Sequence, residues 1–441
     1  MTHSWTFMTE TKQLALHFST MKHIIPFLLL VFSISIFSCS AAKSNSHSFS
    51  AALTDSIMPE DSVETDTVAD LTTAQMSLPK RMQELLKNDI FERTQVGLYV
   101  YDLTADTLVF AYNERQCMRP ASNQKMLTAI TALRDLGTDY QFKTRLYADP
   151  LPADTDSIFT GHIYIKAGFD PLFAAEDMQA FADSLRAINV KRITSPIHLD
   201  LSFKDEKRLG WGWCWDDDLT PLTPLLYNNH DRFVNQLRNA LRHNDIEWDG
   251  TTDERLVPTR AHLLCMRSHN IDQVLLPMMK HSDNTMAESV FYQLAAQGGK
   301  VRTGRKQATT HYKNLYRTLG LNPDHYQVAD GSGLSLYNYV TPELLGKALR
   351  YAYQHTDIYR HLLPTLPEAA HDGTLRKRMK GSKAAYNVHA KTGTVEGVST
   401  LSGYCTAANG NTLCFAIMNQ GVRHTSTGRN FQDRVCKALC K

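Results

Sequence analysis

The chain has no CxxC pair, no internal repeat and no excess of charge of either sign. Without CxxC pairs, zinc-ribbon and thioredoxin-like readings have no support. With 47 Lys+Arg against 45 Asp+Glu and a formal net charge of +2, there is no electrostatic footprint for nucleic acid, and no basic stripe supplies one locally. Gly 22 and Pro 16 in 441 residues exclude collagen-like and low-complexity composition. What is present is a 43% hydrophobic share beside 21% charged residues, which excludes a largely disordered chain. At ~100–200 residues per domain, the length leaves room for two or three domains.

The longest apolar stretch, Ile24 to Phe37, is interrupted by Pro26, Ser33 and Ser35. It falls short of the ~20 residues that span a bilayer. Lys22 and His23 precede it and Ser38-Cys39-Ser40 follow it, the layout of an export signal that starts better at Met21 than at Met1. Ile36-Phe37-Ser38-Cys39 is similar to a relaxed bacterial lipobox, which would place a lipid on Cys39; cleavage nearby without lipidation is the alternative. From Ser44 to Pro79 there are six acidic residues and no Lys or Arg, with no sustained apolar period. This segment reads as a solvated tether. The expected address is periplasmic, with the membrane reached only through the Cys39 anchor.

Beyond the tether, strand and helix signals alternate. Arg81–Leu86 reads as a first helix, and Val96–Leu103 and Thr107–Tyr112 as a hairpin. Met126, Leu127, Ile130 and Leu133 predict a helix from about Ser122 to Leu136, ended by Gly137. Residues 143–264 mix short strands such as His162–Lys166 with helices such as Asp177–Ile188. Helices follow through Val274–Met279 and Met286–Leu294. Thr341-Pro342-Glu343 is a helix start, with Thr as cap and Pro in the first turn. The end returns to β at Tyr386–Lys391, Val398–Thr406 and Thr412–Asn419, before a last helix to Cys440.

Three short motifs carry chemistry. Ser122-Asn123-Gln124-Lys125 puts a serine and a lysine one helical turn apart, where a neutral lysine could take the serine proton. Three other Ser-x-x-Lys matches, at Ser19, Ser40 and Ser77, lie in the N-terminal segments; only Ser122 lies between a hairpin and an amphipathic helix. Ser282-Asp283-Asn284 sits between two helices: Ser282 could relay a proton and Asn284 could donate to a substrate carbonyl. Lys391-Thr392-Gly393 ends a β-run and offers a cation, a hydroxyl and backbone donors to an anionic group, with Gly393 allowing close approach to the backbone. Ser268-His269-Asn270 and Arg302-Thr303-Gly304 are look-alikes of the last two. Each motif alone is common by chance. In this order, the three form the set of class A β-lactamases and penicillin-binding proteins.

The chain resembles the D-alanyl-D-alanine carboxypeptidase/endopeptidase family, the low-molecular-mass class C penicillin-binding proteins. Pro120-Ala121-Ser122-Asn123-Gln124-Lys125 and Lys280-His281-Ser282-Asp283-Asn284 with Ala287-Glu288 carry the likeness, with Asp330-Gly331-Ser332-Gly333-Leu334-Ser335 and Asp372-Gly373-Thr374-Leu375. The resemblance implies an α+β fold: a transpeptidase/β-lactamase-like domain, an antiparallel sheet with helices on both faces, carrying an inserted mixed α/β domain. Ser122 and Ser282 stand 160 residues apart, which leaves room for the insert. The expected organisation is an upstream extension and lipoprotein-type signal at 1–39, a disordered acidic tether at 40–79, a catalytic domain at 80–142 and 265–441, and the insert at 143–264.

The implied activity is that of a serine D-Ala-D-Ala carboxypeptidase/DD-endopeptidase acting on peptidoglycan stem peptides through an acyl-enzyme, with β-lactams as covalent inhibitors and with no metal or organic cofactor. Ser122 would be the nucleophile and Lys125 its base. Ser282 would pass a proton to the leaving amine, with Lys391 assisting electrostatically. Asn284 would orient the peptide, and Lys391 and Thr392 would hold the substrate carboxylate. The backbone N–H groups of Ser122 and Thr394 would form the oxyanion hole. A β-lactamase is the alternative, although the Glu-x-x-Leu-Asn segment of class A enzymes is missing. A non-catalytic penicillin-binding or sensing protein is the other.

Other residues carry two readings. Trp211, Trp213 and Trp215 share one face if extended, and would either pack in the core or border the peptide groove. Asp330 and Ser332 would serve the active site or simply shape a turn. His389 reads as a packed or exposed imidazole. Asn409-Gly410 signals a two-residue hairpin turn, which would set Cys405 opposite Cys414, either bridged or as two free thiols.

Overall fold

Strand Thr412–Gln420 is apolar at both parities. Leu413, Phe415 and Ile417 face one side, Cys414, Ala416 and Met418 the other, and all six are buried. A strand of this kind needs cover on both faces. In the computed structural model, which describes residues 76–152, 157–214, 217 and 220–441, it has that cover. It is the middle strand of a five-stranded antiparallel sheet in the order His389–Val395, Val398–Thr406, Thr412–Gln420, Gln95–Asp102, Thr107–Tyr112. Helices Leu78–Leu85 and Thr425–Leu439 close one face around Met82, Phe431 and Val435. Helices Gln124–Asp135, Ile271–Lys280, Asn284–Ala295 and Pro342–Gln354 bury the other. The fold is α+β with helices on both faces, as the sequence implied. The export signal, Cys39 and the tether up to residue 75 lie outside the described residues; the end expected for the tether, residue 79, is corrected, because helix Leu78–Leu85 already begins at Leu78.

Helix Pro342–Gln354 starts as expected: the Thr341 hydroxyl accepts from the Leu344 N–H at 3.1 Å, with Pro342 in the first turn. It approaches the sheet so closely that a Cβ at Gly346 would stand 2.1 Å from Tyr99 Cδ1. An alanine there gains ~1 kcal/mol of helix propensity but overpacks a filled core, which costs ~1–3 kcal/mol. Gly346→Ala is therefore expected to lower stability by up to ~2 kcal/mol in a urea titration, whereas a gain would mean that the Tyr99 ring yields freely.

The segment between the first two motifs builds a second sheet. Its strands run in the order His262–Asn270, Gln141–Asp149, His162–Lys166, Ile197–Asp200, Thr252–Glu254, antiparallel at first and parallel from His162 onward. Helices Ala175–Ala187 and Phe233–His243 cover it, with Phe173, Phe181, Phe233 and Leu237 in a core of its own. The first and last long strands are neighbours, with Gln141 paired to Asn270, so the chain leaves and rejoins the catalytic half at one point.

Three local expectations are corrected. The hairpin after Val398–Thr406 pairs Tyr404 with Cys414 and Cys405 with Leu413, one residue away from the expected register. Ala407 N–H donates to Asn411 O and Gly410 N–H to Ala407 O, with Gly410 at φ +87. The loop thus holds three residues, Ala408 to Gly410, with glycine in the left-handed position rather than a two-residue turn. A one-residue slip turns every side chain over: Cys414 enters the core beneath Gly346, and Cys405 the opposite one, beside Cys440. Both are free thiols. The strand expected from Tyr386 starts at His389, because the Asn387 side chain takes both the N–H and the C=O of Thr406 and ends the ladder. The tryptophan run is a loop broken at Gly212 (φ +80): Trp211 leans on Tyr337 and Trp213 donates to Asp330, while Trp215 lies outside the described residues.

Candidate active site

The Ser122 segment is a tight turn fastened to the sheet. Pro120-Ala121 leads into a 3-10 turn, Ala121–Asn123, and then into helix Gln124–Asp135. Ala121 is left-handed at φ 47, a strain of order 1–3 kcal/mol that the surroundings must hold. Asn123 holds it: its amide donates to Thr400 Oγ1 at 2.6 Å and its carbonyl oxygen accepts from Ser402, while Thr400 donates to Pro120 O at 2.8 Å. Gly393 completes the fit. A Cβ on it would stand 2.8 Å from Pro120 O and 3.0 Å from Asn123 N, so its lack of side chain admits the nucleophile turn against the strand.

Lys125 is fully buried, one turn from Ser122 as expected. Its Nζ lies 3.0 Å from Ser122 Oγ, 2.7 Å from Asn284 Oδ1 and 2.9 Å from the Ser332 carbonyl. A neutral amine has two N–H donors and one lone pair. The two carbonyl-type acceptors take both donors, which leaves the lone pair for the Ser122 hydroxyl. Burial pulls the amine down to about 8, opposed by the negative charges of Asp330, Glu288 and Asp283. Burial is the main cause. The charge effect runs toward Lys391, which burial and then the Lys125 charge hold well below the ordinary lysine value.

The second motif is a left-handed serine followed by a helix cap. Ser282 sits at φ 63. Asp283 caps helix Asn284–Ala295 by accepting from the Met286 N–H at 2.8 Å, and takes a second bond from Asn229 of the inserted segment. Asn284 opens that helix; with Oδ1 on Lys125, its Nδ2 is left for a substrate carbonyl.

The third motif lies on the sheet's outermost strand, His389–Val395. The Lys391 amine is fully buried, 2.9 Å from Ser282 Oγ and 2.8 Å from Thr392 O. It is therefore placed to act on Ser282, and the more open groups for an anion are the hydroxyls of Thr392 and Thr394. Thr392 Oγ1 donates to Thr374 Oγ1 at 2.8 Å, which brings in the Asp372-Gly373-Thr374 segment. The Ala390 N–H points away from the sheet to Pro367 O, so by the two-residue period the N–H groups of Thr392 and Thr394 point the same way, along the uncovered edge. His389 is half-buried, which lowers its imidazole below the usual value.

Asp330 is a turn organiser. Its oxygens accept from the N–H groups of Gly333 and Ser335, the Asn338 amide and Trp213 Nε1. Asn123 and Glu288 fall within the segments that carry the family likeness without a role of their own there, and Thr400 and Ser402 lie outside them. The signal for two of them was present: Thr400 and Ser402 are polar residues two apart in a buried strand.

With Lys125 at about 8, the acylation rate constant should fall about tenfold per pH unit below that value and level off above it, because protonation removes the lone pair. The groups facing the amine are Asp330, Glu288, Asp283 and Lys391. A time course of β-lactam labelling between about pH 6 and 10 checks this; a flat profile would remove Lys125 as the base.

The chain matches the D-Ala-D-Ala carboxypeptidase 3 (S13) family over residues 78–226 and 220–440. It is 24% identical over 422 residues to the D-alanyl-D-alanine carboxypeptidase DacB of Haemophilus influenzae, covering 76% of this chain and 87% of that protein. The crystal structure of penicillin binding protein 4 from Haemophilus influenzae shares the fold, with a TM-score of 0.72 at 22% identity over 82% of this chain and 98% of that one. The same protein complexed with a novel β-lactam gives a TM-score of 0.65 at 22% identity over the same shares of the two chains. With a family match over most of its length, the chain belongs to the D-Ala-D-Ala carboxypeptidase 3 (S13) family.

Proposed function

We propose that the protein is a serine D-Ala-D-Ala carboxypeptidase/DD-endopeptidase acting on peptidoglycan stem peptides, inhibited by β-lactams through an acyl-enzyme. The observation that carries this reading is the Lys125 amine: buried, 3.0 Å from Ser122 Oγ, with both N–H donors engaged elsewhere. Ser122 Oγ attacks the carbonyl between the two D-alanines, and its proton passes to the Lys125 lone pair. The backbone N–H groups of Ser122 and Thr394 receive the oxyanion. The intermediate collapses as the C–N bond breaks and the amine of the last residue takes the Ser282 proton; the proton held on Lys125 replaces it and leaves Lys125 neutral again, while the Ser282 hydroxyl stands 2.9 Å from Lys391 Nζ. Asn284 Nδ2 orients the peptide, and Thr392 and Thr394 hold the terminal carboxylate. Water then hydrolyses the ester and restores Ser122.

The address belongs to the same reading. The apolar run Ile24–Phe37, Cys39 and the acidic segment after it support export to the periplasm and a lipid anchor at Cys39. Cys39→Ala should release the protein from the membrane fraction of a lipoprotein-processing host. The activity is tested by incubating the protein with a stem pentapeptide ending in D-Ala-D-Ala and measuring free D-alanine. Release of D-alanine with slow nitrocefin turnover is the expected result. Rapid nitrocefin hydrolysis without D-alanine release would identify a β-lactamase instead.

A further inference from the structure

Glu288 is buried on helix Asn284–Ala295, one turn beyond Asn284. Its carboxylate accepts from the N–H of Gly331 at 3.1 Å and the N–H of Ser332 at 2.9 Å. The next polar group of that loop, the Ser332 carbonyl, accepts from Lys125 Nζ. Gly331 O accepts from Thr128 Oγ1 at 2.6 Å, and Thr128 accepts in turn from the Tyr312 hydroxyl. The loop is pinned on both sides and has no slack. Gly331 lies against the helix, where a Cβ would stand 2.6 Å from Ala287 O, and Gly333 lies against the nucleophile turn, where a Cβ would stand 1.8 Å from Ala121 O.

We propose that Glu288 is a positioning residue for the base: by holding the Gly331 and Ser332 N–H groups, it fixes the Ser332 carbonyl on one N–H of Lys125 and so aims the amine's lone pair at Ser122. The inference rests on reading Ser122 as nucleophile and Lys125 as base. Glu288 touches neither substrate nor Ser122. Without it the Gly331 and Ser332 N–H groups lose their acceptor, the Ser332 carbonyl shifts within the hold left by Thr128 and Asp330, and the N–H of Lys125 that it accepted competes for Ser122 Oγ. Burial and the charge of Asp330 push the Glu288 carboxyl up, and the Gly331 and Ser332 donors oppose them. Tyr292 and Tyr312 also feel its charge.

Glu288→Gln keeps the size and one oxygen for both backbone donors, but sets an amide N–H where Oε2 stands 3.2 Å from the Gly331 N–H. A misplacement of the base by about 1 Å costs on the order of a hundredfold. In the full-length protein, the acylation rate constant for a fluorescent penicillin should fall about tenfold to a hundredfold, while the concentration giving half-maximal rate stays as in wild type. Loss of rate and affinity together would make Glu288 merely structural and overturn the inference; so would a wild-type rate constant. If Glu288→Gln does not fold, Glu288→Asp keeps the charge but withdraws the acceptors by one methylene. The same fall in rate at unchanged affinity is then expected, and wild-type kinetics would overturn the inference. Wild-type protein run in parallel separates the two levels: failure to acylate Ser122 at all would overturn the nucleophile assignment, and this inference with it.

Discussion

Ser122→Ala is expected to lower D-alanine release by about 10⁶-fold, the scale on which loss of a serine nucleophile is felt. The fold should not feel the change. Ser122 is only half-buried, and the bonds that fasten its turn run through Asn123, Thr400, Ser402 and Pro120. The loss should therefore appear in kcat at an unchanged denaturation midpoint. D-alanine assay with variant and wild type at matched concentration checks it, and a residual rate within about tenfold of wild type would exclude Ser122 as the nucleophile.

Lys125→Arg should cost about 10²–10⁴-fold in acylation, the usual worth of a general base. Arginine stays protonated at any working pH, so the lone pair disappears although the charge and the donors remain. The site also resists the larger group, since Lys125 is fully buried between Ser122, Asn284 and Ser332. A melting curve must therefore accompany the rate. Folded Lys125→Arg protein labelled by a fluorescent penicillin at the wild-type rate would eliminate the lone-pair mechanism.

The fold was legible where local pattern determines it. The Thr341-Pro342 start, strands His162–Lys166 and Val398–Thr406, and the helix after Ser122 follow from capping, alternation and period. The errors came where one residue of loop length or one long-range partner decides. Asn409-Gly410 fits both a two-residue and a three-residue turn. The choice between them moves Cys405 from one core to the other, and only the pairing with Thr412 and Leu413 resolves it. Tyr386-Asn387-Val388 has strand composition, but the Asn387 amide closes the ladder through a side chain, which no periodicity reports. The parallel pairings of the second sheet join strands far apart in sequence, so their order has no local signal.

The site divides in the same way. Residues of the fixed triplets stand out: Lys125 is bonded to Ser122 and Asn284 at 3.0 and 2.7 Å, and Lys391 to Ser282 at 2.9 Å. Those that hold the triplets in place are single polar residues on elements chosen by the tertiary fold. Glu288 stands in a segment that carries the family likeness, yet what it holds appears only when the Gly331–Ser332 loop is set against it. Gly393 reads as a glycine that admits substrate, yet the group packed on it is the nucleophile turn.

The central claim, an acyl-enzyme on Ser122 that lies on the path to D-alanine, is tested most directly by mass spectrometry of the protein after benzylpenicillin treatment, with D-alanine release measured on the same sample. The expected result is one penicilloyl group per chain, located on the peptide containing Ser122, with D-alanine release lost in proportion to its occupancy. An adduct on a peptide lacking Ser122, or full D-alanine release from fully penicilloylated protein, would contradict it.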